Sequence, residues 1–302
     1  MKNYVLTALI TATMLWIHTS LALNVEVDIN RGLNNNVFLE SDDILRNAND
    51  GTEQKSDDIQ TQIGLMAAHE FLDQSNSDAS IILGYFQESF EENDLETQIF
   101  TVSLPYSYYM GEYRFRSTYS QSRYELASQE ILLYDTGRFE LTKRLGDNRL
   151  GARVSMTNKT PKDERYEGYK GNSADLKLYL QLRRVDHRIQ LDIDIFNNDY
   201  SDEFIATQGY YLQTSFNQYY TGHSWRLAAR YKNTQYNEDP LYDEIRNDQQ
   251  YSLNYDHNFY IYDQVDLYVS SEYTTHLSNI SDSDDNFNYN QWINSVGVRL
   301  SF

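Results

Sequence analysis

The chain has 302 residues, 45 acidic against 25 basic for a formal net charge of -20, with 27 tyrosines and no cysteine. That charge excludes an unspecific nucleic-acid binder, which needs a positive surface, and the missing cysteine excludes a disulfide scaffold and a thiolate metal site. After the N-terminus no stretch approaches ~18 apolar residues, so a helical membrane protein is excluded as well, while 14% aromatic residues oppose disorder.

Residues 1–22 read as a secretory leader. Lys2 supplies the positive start, Tyr4 to Ile17 an apolar core, and Ser20-Leu21-Ala22 the small residues of a cleavage site. Cleavage is expected after Ala22, leaving 23–302 as one β-barrel domain in an exported, oxidising compartment.

From residue 23 the recurring period is two, not 3.6. Leu150, Ala152, Val154 and Met156 alternate with Gly151, Arg153 and Ser155; Leu176 to Leu182 alternate with Lys177, Tyr179 and Gln181; Ile189 to Ile195 alternate with Gln190, Asp192 and Asp194. Side chains on a strand point to opposite faces in turn, so each such segment has one apolar and one polar face. About fourteen segments show it: 24–39, 58–72, 78–91, 95–108, 112–126, 130–144, 149–158, 173–184, 187–198, 203–218, 224–236, 248–260, 264–276 and 288–302.

Short polar connections with turn chemistry, such as Met110-Gly111, Gly146-Asp147 and Thr221-Gly222, tend to alternate with longer acidic ones at 40–57, 159–172, 199–202, 237–247 and 277–287. Aromatic residues crowd the short turns: Tyr106, Tyr108, Tyr109 and Tyr113; Tyr219, Tyr220 and Trp225; Phe259, Tyr260 and Tyr262. Rings with a polar edge favour the membrane–water boundary. The predicted fold class is therefore all-β: a transmembrane antiparallel up-and-down barrel of about 14 strands (12–16), with both termini on one side.

The last segment, Ser295-Val296-Gly297-Val298-Arg299-Leu300-Ser301-Phe302, resembles the C-terminal insertion signal of Gram-negative outer-membrane β-barrels, matching at Ser295, Gly297, Leu300 and Phe302. The resemblance implies a bacterial outer-membrane location, recognition by the barrel-assembly machinery after escort by periplasmic chaperones, and contact with outer-membrane lipid and lipopolysaccharide. Size, acidity and tyrosine content are similar to the small monomeric fourteen-stranded porins, which implies a monomer. Arg31 to Phe38, with Leu277-Ser278-Asn279, resembles barrel domains that export polysaccharide or surface lipoproteins.

If Leu, Val and Ile face lipid, the opposite face lines a lumen. Its expected basic members include Arg114, Arg116, Arg138, Arg153, Lys177, Arg183, Arg188, Arg226 and Arg230; its acidic members include Asp192, Asp194, Asp256, Asp266 and Glu272. The basic residues concentrate on the fifth to eighth segments and the acids on the twelfth, thirteenth and first. Opposed walls of this kind predict a transverse field across a diffusion pore. Acidic runs such as Asp42-Asp43, Glu91-Glu92 and Asp284-Asp285 predict a cation-enriching rim. His69, His187, His223, His257 and His276 are scattered without a nucleophile or zinc spacing. No enzyme, cofactor or metal is expected. The functional expectation is a pore for passive diffusion of small polar solutes or ions, with an export barrel and a non-conducting structural or adhesive barrel as alternatives.

Overall fold

The computed structural model describes residues 23–35, 58–91, 95–202, 205–239, 244–279 and 288–302; the leader over 1–22 and much of the acidic rim, Asp42 and Asp284 among it, lie outside the described residues. Fourteen strands stand where the alternation places them: β1 (Leu23–Asn34), β2 (Asp58–Gln74), β3 (Ser77–Phe90), β4 (Leu95–Met110), β5 (Tyr113–Leu126), β6 (Gln129–Leu145), β7 (Asn148–Pro161), β8 (Gly171–Arg183), β9 (His187–Tyr200), β10 (Thr207–Tyr220), β11 (His223–Asp239), β12 (Glu244–Tyr262), β13 (Val265–Ser278) and β14 (Tyr289–Ser301). Each pairs antiparallel with its sequence neighbours, and β1 pairs with β14 from Glu26↔Ser301 to Asn34↔Ile293, which closes the barrel. Two backbone hydrogen bonds between Val25 and Phe302 (3.0 and 2.8 Å) carry this seam to the terminal residue. Closure satisfies the edge groups that hydrocarbon cannot.

Register decides which face each side chain takes. Ile193 sits opposite Leu178 on β8 and Leu212 on β10, and these three are 44–49% exposed. The flanking Asp192 and Asp194 are 3% and 2% exposed. The molecule thus has its oil outside and its charge inside, the inverse of a water-soluble globule.

Outward-facing aromatic residues form two girdles rather than one. Near the short turns stand Tyr106, Tyr108, Phe115, Tyr220, Trp225 and Phe259; nearer the loops stand pairs such as Tyr85–Phe100, Tyr231–Tyr251 and Tyr273–Trp292, with ring centroids 4.9, 5.1 and 4.5 Å apart. Phe100 and Tyr108, like Tyr251 and Phe259, stand eight residue steps apart, or about 20 Å of membrane depth for a strand tilted by ~40°. That is close to the apolar band of a transmembrane barrel, about 25 Å tall. Three members of the expected turn clusters face inward instead. Tyr109 donates to Asp78 (2.6 Å), Tyr260 bonds with Ser224 (2.6 Å), and Tyr219 shares the inward row with Ser224. Adjacent residues on a strand cannot share a face, so a run of aromatics splits between girdle and interior.

At the short-turn end Gly111, Gly146 and Gly222 take φ of 59°, 63° and 88°, the left-handed backbone that tight hairpins need. The opposite end departs from expectation. β10 begins at Thr207 rather than 203. The connection expected over 159–172 is strand up to Pro161 and then a 3-10 helix, Glu164–Tyr169. This helix turns into the barrel mouth: Tyr166 and Tyr169 pack with Leu126, Ile131 and Leu132 in a cluster 0–7% exposed, bordered by Leu95, Tyr124, Tyr134 and Ile205. Register places Tyr124, Leu126, Leu132 and Tyr134 on the inward face. A small apolar core therefore sits inside the loop-end mouth, over β5–β7.

Candidate functional site: the barrel interior

All the sequence-predicted lumen residues fall on the inward face, but their charges interleave. On β5 and β6, the Arg114 Nη2 lies 2.6 Å from Glu140, with Arg116 directly across the strand pair from the same acid. On β7 to β9, Arg153 reaches Asp175 (3.5 Å) and Asp194 (3.8 Å), and the Lys177 ammonium lies 3.4 Å from Asp192. The Tyr211 hydroxyl donates to Asp194 (2.8 Å). Arg138 stands inward between Thr118 and Ser155. Arg226 on β11 meets Asp256 on β12 (3.4 Å), Arg230 donates to Gln213 (3.1 Å), and Arg183 donates to Gln181 (3.0 Å). Asp266 is opposite Arg299, and Glu272 is opposite Asn254.

Two uniform opposed walls are therefore not what the strands build. Two acids, Glu140 on β6 and Asp175 on β8, lie within the basic arc, Asp192 and Asp194 border it on β9, and Arg299 on β14 lies within the acidic one, with Arg226 beside it on β11. Cross-strand neighbours of like sign repel, so a continuous one-sign wall is costly where an opposite charge is an alternative.

Solvent access differs around the bore. On β5–β9 the paired groups are part-buried: Arg114 28%, Glu140 18%, Lys177 14% and Asp192 1% by side chain. On β11, β14 and β1 three inward charges keep more solvent, Arg226 40%, Arg299 38% and Glu26 39%, while their partners Asp256 and Asp28 keep 27% and 23%. These three make the wetter wall, across from the strands on which the inward-folded helix rests.

Two interior clasps were invisible as motifs. The Tyr268 ring on β13 lies over Gly297 on β14, and its hydroxyl reaches Asp28 on β1; Arg299 also donates to Asp28 (3.1 Å) and pairs with Glu26 (3.3 Å). On the far side Tyr179 on β8 lies over Gly151 on β7, and its hydroxyl meets Thr142 (2.7 Å) and Glu140 (3.2 Å) on β6. Each clasp spans three strands through a glycine whose missing side chain makes the room. Of the C-terminal motif, Ser295 faces inward and bonds Ser270 (2.7 Å), while Leu300 falls on the outward face.

Of the histidines, His187, His223 and His257 point outward at the turn-end girdle, where His257 stacks on Phe259 at 4.2 Å. His276 faces inward, its Nε2 3.2 Å from Asp248, which Arg246 also holds at 2.6 Å. Among the described residues no cluster of three or more His, Asp or Glu could hold a metal ion.

The 3-10 helix at the mouth carries one titratable support. Asp163 caps it, accepting the backbone N–H of Arg165 (2.9 Å) and the guanidinium of the same residue (2.7 Å). These hydrogen bonds, side chain first, hold the Asp163 carboxyl down to about 2. A carboxyl depressed by folding contributes fully above its unfolded value, near 3.8, and loses that contribution as pH falls through the folded one. D163N should therefore melt below the wild type at pH 5, and the gap should close as pH drops from about 4 towards 2. A gap independent of pH would assign it to packing rather than to the charge.

No family model and no curated protein sequence matches the chain. Among solved structures, a loop-deletion form of the outer-membrane protein OmpT of Vibrio cholerae aligns with TM-score 0.53 and 7% identity, over 93% of this chain and 99% of that one. OccAB3 of Acinetobacter baumannii aligns with TM-score 0.52 and 8% identity, over 93% and 100%. The anion-selective porin of Comamonas acidovorans aligns with TM-score 0.53 and 10% identity, over 94% and 99%. The chain has the outer-membrane β-barrel fold. At these identities the likeness carries the fold; the interior chemistry has to be read from this chain's own side chains.

Proposed function

We propose that this protein is an outer-membrane pore for passive diffusion of small polar solutes or ions, acting as a monomer. The observation that carries the reading is the hydrated inward charge: Arg226, Arg299 and Glu26 keep about two fifths of their surface exposed although they point into the barrel. Polar side chains so placed need water beside them, and water beside them along a wall is a path for solutes. The similar outer-membrane structures, an anion-selective porin among them, support the same reading. Outer-membrane lipid and lipopolysaccharide, periplasmic chaperones and the barrel-assembly machinery are its proposed partners. The pore-lining assignment runs from Arg114, Arg116 and Arg138 to Asp266 and Glu272.

The test is single-channel recording in planar bilayers. Ohmic steps are expected. R226Q/R230Q should move the reversal potential toward cations, since it takes two positive charges from the wetter wall. An unmoved potential would remove those residues from the ion path. R114A/R116A should move it less, because Glu140 is then unpaired but shielded on the more buried arc. Bilayers that stay silent would favour a second reading, a structural barrel closed by the inward-folded helix and the ion-pair lattice of β5–β9.

A further inference from the structure

One group of interior charges escapes the pairing found elsewhere. At the short-turn end, Arg183 on β8 lies directly opposite Arg188 on β9, and Arg149 on β7 lies opposite Gln181, two residues along β8 from Arg183. Their places in the alternation, two residues along from Gln181, Gln190 and Gly151, put them on the inward face. None of the three has a carboxylate within ion-pair distance among the described residues. Arg183 Nε and Arg188 Nε are both buried without a hydrogen-bond partner. Asn217, across the next strand pair from Arg188, is 6% exposed, and its Nδ2 also has no partner.

The grouping is unfavourable as it stands. Like charges directly opposite on a strand pair destabilise it, and buried donors without acceptors cost more than exposed ones. For several other interior cations an acid answers: Glu140 for Arg114, Asp192 for Lys177, Asp256 for Arg226. Here no carboxylate answers the three guanidinium forks; Arg183 finds only the neutral Gln181 amide oxygen (3.0 Å), and the Asn217 amide adds a further donor. Arginine forks match phosphate and carboxylate oxygens in pairs.

We propose that the turn end of the barrel interior binds a small multivalent anion, a solute bearing clustered phosphate or carboxylate groups, held by Arg149, Arg183, Arg188 and Asn217. The inference deepens the pore reading, because it rests on solutes reaching this interior from the short-turn mouth. The inward placement selects a free solute over a lipid headgroup. Three cations on adjacent strands select several negative charges on one molecule over one, since a single charge leaves most of the repulsion in place.

The test uses the mature barrel folded in detergent, with sodium tripolyphosphate and inorganic phosphate as probes at matched ionic strength, read by calorimetric titration and by the melting midpoint. Tripolyphosphate should bind the wild type at least tenfold more tightly than inorganic phosphate and raise its midpoint, since a ligand of the folded state alone stabilises it. R183Q/R188Q relieves repulsion, so it should fold and melt no lower than the wild type without anion, yet bind tripolyphosphate at least tenfold more weakly. R149Q alone should weaken binding in the same direction. R123Q/K143Q removes two positive charges from the outward face, at Arg123 and Lys143, and should leave the affinity within twofold. Absence of tripolyphosphate binding to the wild type would overturn the proposal. So would R183Q/R188Q binding as the wild type does, or R123Q/K143Q weakening binding as much. Because binding is read without a bilayer, a silent bilayer with intact binding rejects the pore and keeps the site. Conduction without binding does the opposite.

Discussion

Ile193→Lys should destabilise the folded barrel by about 2–4 kcal/mol, the cost of a lysine near the bilayer midplane on a barrel's lipid face. Ile193 is outward, 49% exposed, and flanked across both strand pairs by the exposed Leu178 and Leu212. In water such a substitution on an exposed position would change stability by a few tenths of a kcal/mol. The size of the effect therefore reports which solvent touches the outer wall. The matched substitution inside is Asn254→Lys. Asn254 is inward on β12, opposite Glu272 on β13, where an ammonium finds a carboxylate. Its cost should stay within about 1 kcal/mol. Urea unfolding in lipid vesicles, followed by tryptophan fluorescence, gives both numbers. Equal costs at the two positions would mean that inside and outside do not differ as the alternation says.

Much of this architecture was legible because a strand's period of two is a local property. Ile189, Leu191, Ile193 and Ile195 announce their face without reference to any other strand, and so the fourteen segments, their turn residues and the inward membership of Arg153 or Lys177 followed from the chain alone. What did not follow depends on pairing register. The acids Asp192 and Asp194 and the bases Arg153 and Lys177 lie on different strands, and only the alignment of β7, β8 and β9 brings them within 3.4–3.8 Å. What register adds to the expected opposed walls comes at that step: charge can be counted by strand, but neutralisation happens between strands. The second girdle was missed for a related reason. Tyr85 and Phe100, or Tyr231 and Tyr251, are far apart in sequence and become a belt only when register stacks them. The core at the mouth was missed because Tyr166 and Tyr169 stand in a segment rich in charge, Lys162-Asp163-Glu164-Arg165, which reads as a solvated loop. The one available signal was the pair of tyrosines three residues apart, a spacing that eclipses side chains in a 3-10 helix.

Gly297→Ala should cost about 1–3 kcal/mol, although the change adds a single methyl group. An ideal Cβ at position 297 would fall 2.4 Å from the Tyr268 ring and 2.5 Å from its hydroxyl oxygen, so the ring must shift. Moving it strains a packed interior and breaks the hydrogen bond to Asp28 across the β1–β14 seam. The seam is where closure is settled, and its contacts bring together residues more than 200 positions apart in sequence. Tyr268→Ala removes the ring by the other route. Once the ring is absent, the methyl group that G297A adds meets nothing, so this substitution should cost close to zero in the Y268A background. The two substitutions should be strongly non-additive, the signature of residues in contact. The clasp at the opposite wall gives an internal replicate, since a Cβ at Gly151 would fall 2.2 Å from the Tyr179 ring, and G151A with Y179A should couple in the same way. Additive costs in both cycles would separate the glycines from the rings. Coupling would give Gly297, a member of the C-terminal segment that resembles an assembly signal, a second role in the folded barrel. Its lack of a side chain lets a tyrosine from one strand reach an aspartate two strands away and hold the cylinder shut.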